Sequence, residues 1–277
     1  MPLFLAMYAS RVVLKMVDML REREIKKAVR DGYSRIAKQP SCCAGSCCGT
    51  GSAAEISRRI GYTEEEMLSA PPESNLGLGC GNPLAIASLR RGEYVLDMGS
   101  GAGFDCFLAA RAVGPEGMVI GVDMTTEMVE RARENARKGG YRNVDFRQGE
   151  LENLPVADNY VDVVISNCVI NLVPDKRRAF REAFRVLKPG GRMIVSDVVL
   201  KREIPESVRR SKEAYIGCLA GAVTVEEYID AIRSAGFKEI SILGESQFPT
   251  ECLPASIDKA DLSRSVCSLR ISARKPA

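Results

Sequence analysis

Three alternating glycines after an acidic residue are the first feature of this sequence that could do chemistry. Gly99, Gly101 and Gly103 follow Asp97, and a short apolar run, residues 94–96, precedes them. The pattern predicts a buried strand, a tight turn without side chains, and a helix whose free N–H groups face the turn. Because such a turn lets a ligand approach the backbone closely, we expect a small molecule to bind here.

The spacing of the glycines separates two classes of ligand. Dinucleotide-binding turns follow the pattern G-x-G-x-x-G and hold a pyrophosphate at the helix end. Here the spacing is G-x-G-x-G, Phe104 occupies the sixth position, and the carboxylate of Asp97 would repel a pyrophosphate. An acidic residue before the glycines suits a cofactor with a cationic amino acid end. The turn therefore favours S-adenosylmethionine over a nicotinamide dinucleotide.

Polar residues also end the next three predicted strands. Asp123, Glu150 and Asn167 each lie at or just after the end of such a strand, and Leu151 follows Glu150. The carboxyl ends of parallel strands meet at one edge of a sheet, so we expect these residues to lie close together. A carboxylate there can bind both hydroxyls of a ribose, and a polar group with an apolar cover suits adenine. Together they predict a nucleoside site.

Three of the ten cysteines lie where they could surround the reactive end of such a cofactor. Cys168 ends the fourth predicted strand, and Cys80 lies in a second glycine-rich loop, residues 75–83. Cys218 lies among small residues after the fifth strand. Segments before the first strand and after the fifth could cover this edge of the sheet, so the three thiols could converge over one methyl group.

Three thiols without a general base point to trivalent arsenic. The sequence contains no histidine, which excludes Ser-His and Cys-His nucleophile pairs and histidine-containing metal sites. Soft ions prefer thiolates, and three-coordinate arsenic keeps a lone pair that can itself attack a sulfonium methyl group. Zinc takes four ligands in structural sites, so three thiols alone would not suit it. We expect catalysis mainly by proximity.

The remaining cysteines are not assigned to this site. Cys106 lies inside the first helix of the sheet region and is predicted to be a core residue. Four others form a thiol-rich loop, and they are Cys42, Cys43, Cys47 and Cys48. No second cysteine pair at zinc-ribbon spacing follows this loop, so we interpret it as a mobile segment and not as a metal site.

Composition and charge limit the partners. A net charge of +3 in 277 residues is too small to predict nucleic acid or an anionic membrane as the main partner. There is neither an apolar run long enough to span a bilayer nor a clear secretory signal. We therefore expect a cytoplasmic protein with reduced thiols, and a monomer.

Alternating strands and helices must position these residues. Strands are predicted at 94–97, 118–123, 143–148, 161–166 and 192–197. Their near-continuous apolar character predicts an α/β fold with a mostly parallel sheet covered on both faces. Two later β-rich stretches, 238–243 and 268–273, could form an antiparallel hairpin at the sheet edge.

The chain is predicted to have three parts. Residues 1–72 form an N-terminal helical region that carries the thiol-rich loop, 41–49. Residues 73–243 form the core, which includes a helical insertion at about 205–232. Residues 244–277 form a C-terminal extension that contributes a final edge strand.

The chain resembles class I S-adenosylmethionine-dependent methyltransferases in three motifs, which are Asp97-x-Gly99-x-Gly101-x-Gly103, the Asp123 that ends Val-Ile-Gly-Val-Asp, and Leu187-Lys-Pro-Gly-Gly191. It is similar more specifically to arsenite methyltransferases in four segments, which are 75–83, 97–106, 166–172 and 215–221. The resemblance covers about residues 30–243 and includes all three cysteine motifs.

This resemblance implies a seven-stranded Rossmann-like sheet and S-adenosylmethionine as the methyl donor. It implies that Cys80, Cys168 and Cys218 hold arsenite as a tris-thiolate. The implied cofactor-binding residues are Asp97, Gly99, Gly101, Gly103, Asp123, Met124, Glu150, Leu151 and Asn167. The products would be methylarsenite and then further methylated arsenic.

Arsenite methyltransferases also use a cysteine upstream of the glycine loop. It can form a disulfide with the loop cysteine and helps to return arsenic to the trivalent state. In this chain the role could fall to Cys42, Cys43, Cys47 or Cys48. A thiol reductant, glutathione or thioredoxin, would then be a co-substrate.

Two other functions are compatible with parts of the sequence. A small-molecule C- or O-methyltransferase of the quinone-biosynthesis type shares the cofactor motifs but has no need for the three cysteines. A non-catalytic protein that binds or senses metalloids would need the cysteines but not the intact cofactor residues. The sequence also shows no helical pair or basic face suited to DNA, which disfavours a sensor.

Overall fold

The computed structural model describes residues 2–38, 52–248, 262 and 264–277. The helices are α1 (Pro2–Lys38), α2 (Ala53–Arg59), α3 (Glu64–Ser69), α4 (Leu84–Ala87), α5 (Phe104–Val113), α6 (Thr126–Lys138), α7 (Lys176–Val186), α8 (Glu206–Arg209), α9 (Lys212–Ile216) and α10 (Val225–Ser234). The strands are β1 (Tyr94–Met98), β2 (Met118–Asp123), β3 (Val144–Gln148), β4 (Val161–Asn167), β5 (Leu187–Leu200), β6 (Lys238–Gln247) and β7 (Val266–Arg274).

The seven strands form one sheet in the order β3-β2-β1-β4-β5-β7-β6. Strands β1 to β5 pair in parallel, and β7 runs antiparallel to both β5 and β6. The prediction of a mostly parallel α/β sheet with an antiparallel C-terminal pair at one edge is therefore confirmed. The strand order reverses between β1 and β4, so a crevice opens beyond their carboxyl ends.

Helices cover both faces of the sheet because its central strands are apolar on both sides. On one face, α5 and α6 contribute Phe107 and Val129 to a buried cluster. On the other face, α7 and α10 contribute Phe180 and Tyr228. The predicted site lies at the carboxyl ends of the strands, and these helix layers hold those ends in place.

Within residues 1–72, the described part of the chain contains α1, α2 and α3, and α1 is the longest of these helices. The thiol-rich loop that follows α1, with Cys42, Cys43, Cys47 and Cys48, lies outside the described residues. A search of the described helices finds none that is both long enough and apolar enough to cross a membrane.

The prediction that the final strand lies at the sheet edge is wrong. β7 lies between β5 and β6, and β6 is the edge strand. The predicted boundary at residue 243 also falls inside β6, which continues to Gln247. The physical reason is burial: most of β7 is buried, whereas β6 leaves Ile242 and Leu243 exposed. The backbone N–H and C=O groups of a buried strand need hydrogen-bond partners along both edges, and β5 and β6 supply them for β7.

The predicted helical insertion at 205–232 is only partly helical. It contains two short helices, α8 and α9, then a stretch without helix at 217–224, and then α10. The stretch breaks from helix because Cys218 adopts a left-handed backbone conformation, with φ of 63°. Strand β5 is longer than predicted and begins at Leu187, which pairs with Val161 before an irregularity in the ladder.

Candidate active site

The glycine turn begins directly after β1, and its backbone geometry requires glycine. Gly99 has φ of +83°, and a Cβ atom there would meet the side chain of Val169 at 2.5 Å. Gly101 has φ of +51°, and its N–H donates to Asp123 Oδ2 at 3.0 Å. This hydrogen bond joins the end of β1 to the end of β2. The two predicted features therefore form one unit.

A cavity opens beyond the carboxyl ends of β1, β2 and β4, with a volume of about 1080 Å³ including its open mouth. Nine predicted site residues line it, and they are Asp97, Gly99, Gly101, Asp123, Met124, Glu150, Leu151, Asn167 and Cys168. Gly103 is not among the lining residues, and a Cβ atom there would meet the rings of Phe146 and Phe107. The structure therefore indicates a packing role for Gly103.

Two buried carboxylates, those of Asp97 and Asp105, lie close enough beside the glycine turn to interact electrostatically. Burial and the neighbouring Asp105 raise the pKa of Asp97 well above its usual range. Burial also raises the pKa of Asp105 to about 6, although Tyr62 and Asn167 donate hydrogen bonds to it. Neither carboxylate takes part in the ion pairs found between described residues. A cationic ligand group would therefore be favoured here.

The thiol of Cys106 also belongs to this part of the site. Its Sγ atom donates a hydrogen bond to Asp97 Oδ2 at 3.2 Å. The residue is fully buried, as the sequence predicted for a core position. The structure adds that this core cysteine orients a carboxylate that lines the cavity.

Asn167 connects the carboxylates to the Cys80 loop. Its Nδ2 atom donates to Asp105 Oδ2 at 3.1 Å, to the Tyr62 hydroxyl at 2.9 Å and to the Gly81 carbonyl at 2.8 Å. Its Oδ1 atom accepts from the backbone N–H of Cys80 at 3.0 Å. One side chain at the end of β4 therefore fixes both the floor of the cavity and the loop that carries a predicted arsenic ligand.

The fold brings the three predicted thiols together. Cys80, Cys168 and Cys218 are 4%, 7% and 3% exposed and belong to one buried cluster. The Cys218 thiol donates to the Cys168 carbonyl at 2.9 Å, and the Cys80 thiol to the Ser196 carbonyl at 3.4 Å. Hydrogen bonding with the thiols of Cys218 and Cys80 raises the pKa of Cys168 well above its usual range. Cys168 alone of the three also lines the cavity.

Two of these cysteines have an unusual backbone conformation. Cys168 and Cys218 have φ of 58° and 63°, in the left-handed region that non-glycine residues rarely adopt. Residues held in this way cluster at functional sites, where the surrounding structure compensates for the strain. Here the N–H of Cys168 donates to the Ser196 carbonyl at 2.8 Å, which helps to hold the turn.

Asp197 was not predicted, yet it lies directly beside two of the thiols. A carboxylate oxygen of Asp197 and the sulfurs of Cys80 and Cys168 all lie within 4.8 Å of one another. Asp197 lies inside β5, which continues to Leu200. It is also the last residue of the predicted strand 192–197, but the predicted site drew only on the ends of the first four strands. The available signal was an acidic residue within the apolar run 193–200.

Helix α1 closes one side of the cavity, which the sequence did not predict. Lys26 pairs with Glu150 at 2.6 Å and with Glu152 at 3.0 Å. Tyr33 lines the cavity and donates a hydrogen bond to the Ile216 carbonyl at 3.4 Å, two residues before Cys218. The helix therefore contacts both the predicted nucleoside side of the site and the segment that carries the third thiol.

Known proteins share this arrangement of elements. A family model described as a methyltransferase domain matches residues 89–236. An arsenite methyltransferase of Halobacterium salinarum is 46% identical over 264 residues, which cover 92% of this chain and 67% of the relative. The crystal structure of an arsenic(III) S-adenosylmethionine methyltransferase from Chlamydomonas reinhardtii has a TM-score of 0.61 and 36% identity, and the match covers 80% of this chain and 73% of that chain.

A quinone-pathway enzyme matches a smaller part of the chain. A ubiquinone/menaquinone biosynthesis C-methyltransferase of Yersinia pestis is 37% identical over 130 residues, which cover 47% of this chain and 51% of the relative. The chain spans 48% to 67% of the length of five curated arsenite methyltransferases that it matches. The resemblance seen in the sequence motifs is confirmed, and the chain belongs to the arsenite methyltransferase family of S-adenosylmethionine-dependent methyltransferases.

Proposed function

We propose that this chain transfers methyl groups from S-adenosylmethionine to trivalent arsenic, first to arsenite and then to methylarsenite. The observation that carries the proposal is the convergence of Cys80, Cys168 and Cys218 in one buried cluster, with Cys168 also lining the cavity beside the glycine turn. A quinone methyltransferase would have no use for three buried thiols at that position. The arrangement therefore favours a thiophilic substrate.

The residues around the cavity fit S-adenosylmethionine. The buried carboxylates of Asp97 and Asp105 suit its cationic amino acid end, and Asp123 suits its ribose hydroxyls. Ser100 lines the cavity, and its buried hydroxyl has no hydrogen-bond partner among the described residues. A ligand hydroxyl or carboxylate would satisfy that group. When bound, the cofactor supplies a methyl group on a sulfonium sulfur.

The thiols would bind and orient the substrate. Arsenite, As(OH)₃, exchanges its three hydroxyls for the sulfurs of Cys80, Cys168 and Cys218, and the three thiol protons leave with the hydroxyls as three waters. The arsenic lone pair then forms the As–C bond as the bond between the methyl carbon and sulfur breaks. Arsenic is oxidised from the trivalent to the pentavalent state in this step. No side chain needs to remove a proton during methyl transfer, which fits a chain without histidine.

Return of arsenic to the trivalent state needs two electrons. Two thiols can supply them by forming one disulfide, which a reductant such as glutathione or thioredoxin then reduces. We assign the upstream thiol in this step to one of Cys42, Cys43, Cys47 and Cys48, because the resemblance implies a cysteine in that region.

A time course of arsenic products tests the function directly. The chain is incubated with arsenite, S-adenosylmethionine and glutathione, and the methylated arsenic species are quantified by mass spectrometry. We expect methylarsenite to appear first and dimethylated arsenic to follow. Absence of methylated arsenic, with S-adenosylmethionine bound by the same sample, would leave the chain as a metalloid-binding protein.

The thiol-rich loop should matter after the first methyl transfer and not during it. We expect a variant with serine at positions 42, 43, 47 and 48 to form methylarsenic in a single turnover at the parental rate. Its later turnovers should slow, because the loop no longer supplies electrons for arsenic reduction. Quench-flow sampling followed by mass spectrometry separates the two phases. Equal loss in both phases would contradict a purely reductive role.

Binding of S-adenosylmethionine should weaken as the pH falls. Because burial raises the pKa of Asp105 to about 6, this carboxylate is ionised at pH 7 and largely protonated at pH 5. A cationic ligand binds the ionised form, so the dissociation constant at pH 5 should be about tenfold higher than at pH 7. Calorimetric titrations between these pH values measure the effect. The Asp105→Asn variant should show weaker binding with a flatter pH profile, and a flat profile in the parent chain would contradict the assignment.

A further inference from the structure

The carboxylate of Asp197 adds a donor to the thiol cluster that methyl transfer to arsenic does not use. We propose that Cys80, Cys168, Cys218 and Asp197 together form a binding site for a soft divalent cation, Zn²⁺ or Cd²⁺, and that this cation competes with arsenite. The competition rests on the proposed function, whereas the cation site itself does not. It would make methylation sensitive to the supply of thiophilic divalent metals.

The distances suit a metal of this kind. One carboxylate oxygen of Asp197 and the sulfurs of Cys80 and Cys168 lie within 4.8 Å of one another, and all three residues are buried. Two sulfurs that bind one zinc ion at 2.3 Å with tetrahedral geometry lie about 3.8 Å apart. A sulfur and a carboxylate oxygen on the same zinc ion lie about 3.5 Å apart. These three donors therefore need to approach by up to about 1.3 Å, which rotations of the two cysteine side chains can supply.

Cys218 is not one of the three donors that lie within 4.8 Å of one another, and it would complete the coordination sphere by turning its thiol toward the ion. Its thiol donates a hydrogen bond to the Cys168 carbonyl at 2.9 Å, and it interacts with the Cys168 thiol. Three thiolates and one carboxylate give four donors, which is the number that zinc takes in structural sites. Magnesium and calcium prefer six or more oxygen donors, so the donor set selects against them.

The surroundings of Asp197 resemble those of a ligand carboxylate. Tyr228 donates to Oδ2 at 3.0 Å, and Asn171 Nδ2 and the N–H of Val198 donate to Oδ1, each at 2.9 Å. Carboxylates that ligate metals are oriented by such hydrogen bonds, which leave further lone pairs for the ion. The 1% exposed side chain is thus held beside the thiols in a fixed orientation.

Dependence on Asp197 should distinguish the binding of zinc or cadmium from the binding of trivalent arsenic. Trivalent arsenic is satisfied by three sulfurs and has no need of the carboxylate. Zinc and cadmium need a fourth donor, so their binding should depend on Asp197. The sequence argument that three thiols would not suit zinc therefore does not hold once the tertiary structure supplies this residue.

The test uses the 277-residue chain with the substitutions Cys42→Ser, Cys43→Ser, Cys47→Ser and Cys48→Ser, so that the loop thiols do not bind metal. Cadmium is titrated and its thiolate absorption is followed in the ultraviolet, and arsenite is then added to displace it. We expect the Asp197→Asn variant to bind Cd²⁺ at least about tenfold more weakly than this reference chain. Its affinity for arsenite should stay within about twofold, since the three thiols remain.

Two further variants keep the test decisive. Tyr228→Phe removes only one hydrogen bond to the carboxylate, and it should weaken Cd²⁺ binding about tenfold even if Asp197→Asn does not fold. Cys267→Ser, in a cluster with α7 and α10, should leave both affinities unchanged. Unchanged Cd²⁺ affinity in Asp197→Asn and in Tyr228→Phe would overturn the cation site. Cadmium that binds through Asp197 but is not displaced by arsenite would instead overturn the assignment of these thiols to arsenic.

Discussion

Serine at position 168 is expected to abolish the methylation of arsenite while the binding of S-adenosylmethionine is retained. A hydroxyl is a hard, weakly acidic group, so it cannot replace a thiolate as a ligand for a soft ion. Loss of a hydrogen-bonded partner behind a metal ligand already costs about 10- to 100-fold in affinity or activity. Loss of one of three direct ligands should therefore reduce turnover at least about 100-fold.

A loss of activity in the Cys168→Ser variant can be assigned to the missing thiol and not to misfolding. The N–H of Cys168 donates to the Ser196 carbonyl, and its own carbonyl accepts from Cys218, so serine retains the backbone contacts of this position. Rates of product formation from mass spectrometry and cofactor affinity from calorimetry should be measured on the same sample. Cys80→Ser and Cys218→Ser should behave alike, and Cys267→Ser is the matched buried control. Parental turnover in Cys168→Ser would end the tris-thiolate proposal.

Among substitutions of the predicted cofactor-binding residues, Asp123→Ala should weaken the binding of S-adenosylmethionine most. A hydrogen bond to a charged group contributes about 1.5–3 kcal/mol, so the dissociation constant of S-adenosylmethionine should rise about 10- to 150-fold. The structure gives a second reason for a large effect. Asp123 accepts hydrogen bonds from the N–H groups of Gly101 and Thr125, at 3.0 and 2.8 Å, and thereby holds the glycine turn in place.

Two companion variants distinguish these causes. Asp123→Asn keeps one carbonyl oxygen for the backbone and loses the charge, so its affinity should lie between that of the parent and that of Asp123→Ala. Glu134→Ala removes a carboxylate that pairs with Lys138 on α6, and it should leave the affinity unchanged. Calorimetric titration measures all four proteins. Parental affinity in Asp123→Ala would show that the ribose is bound elsewhere.

The ion pairs of α1 bear on one predicted cofactor residue. Glu150 was expected to contact the nucleoside, and in the structure it lines the cavity while it pairs with Lys26 and lies 3.7 Å from Arg30. The carboxylate therefore links the cavity wall to a helix that lies far away in the sequence. Its contact with the nucleoside stays a prediction.

The sequence by itself determined the parallel half of the sheet and the glycine turn. Both depend on local patterns. Apolar runs predict buried strands, and glycine at positions 99 and 101 allows the positive φ angles that the tight turn requires. The expectation that Asp97, Asp123, Asn167 and Cys168 lie at one edge follows from the same alternation, because parallel strands end together. The three cysteines were singled out by their chemistry, since soft thiols without a base favour few substrates.

Only the tertiary structure decided which distant residues complete the site. Asp197 reaches Cys80 and Cys168 because β5 lies next to β4, and Tyr62 reaches Asp105 across 43 positions of the chain. The position of β7 was likewise decided by burial, which depends on what packs against both of its faces. Contacts between distant segments leave no periodic pattern in the sequence, because they depend on how the elements pack. This packing buries Asp97 and Asp105 and so raises the pKa of each carboxyl group. It also places the three thiols in one buried cluster and Asp197 next to two of them.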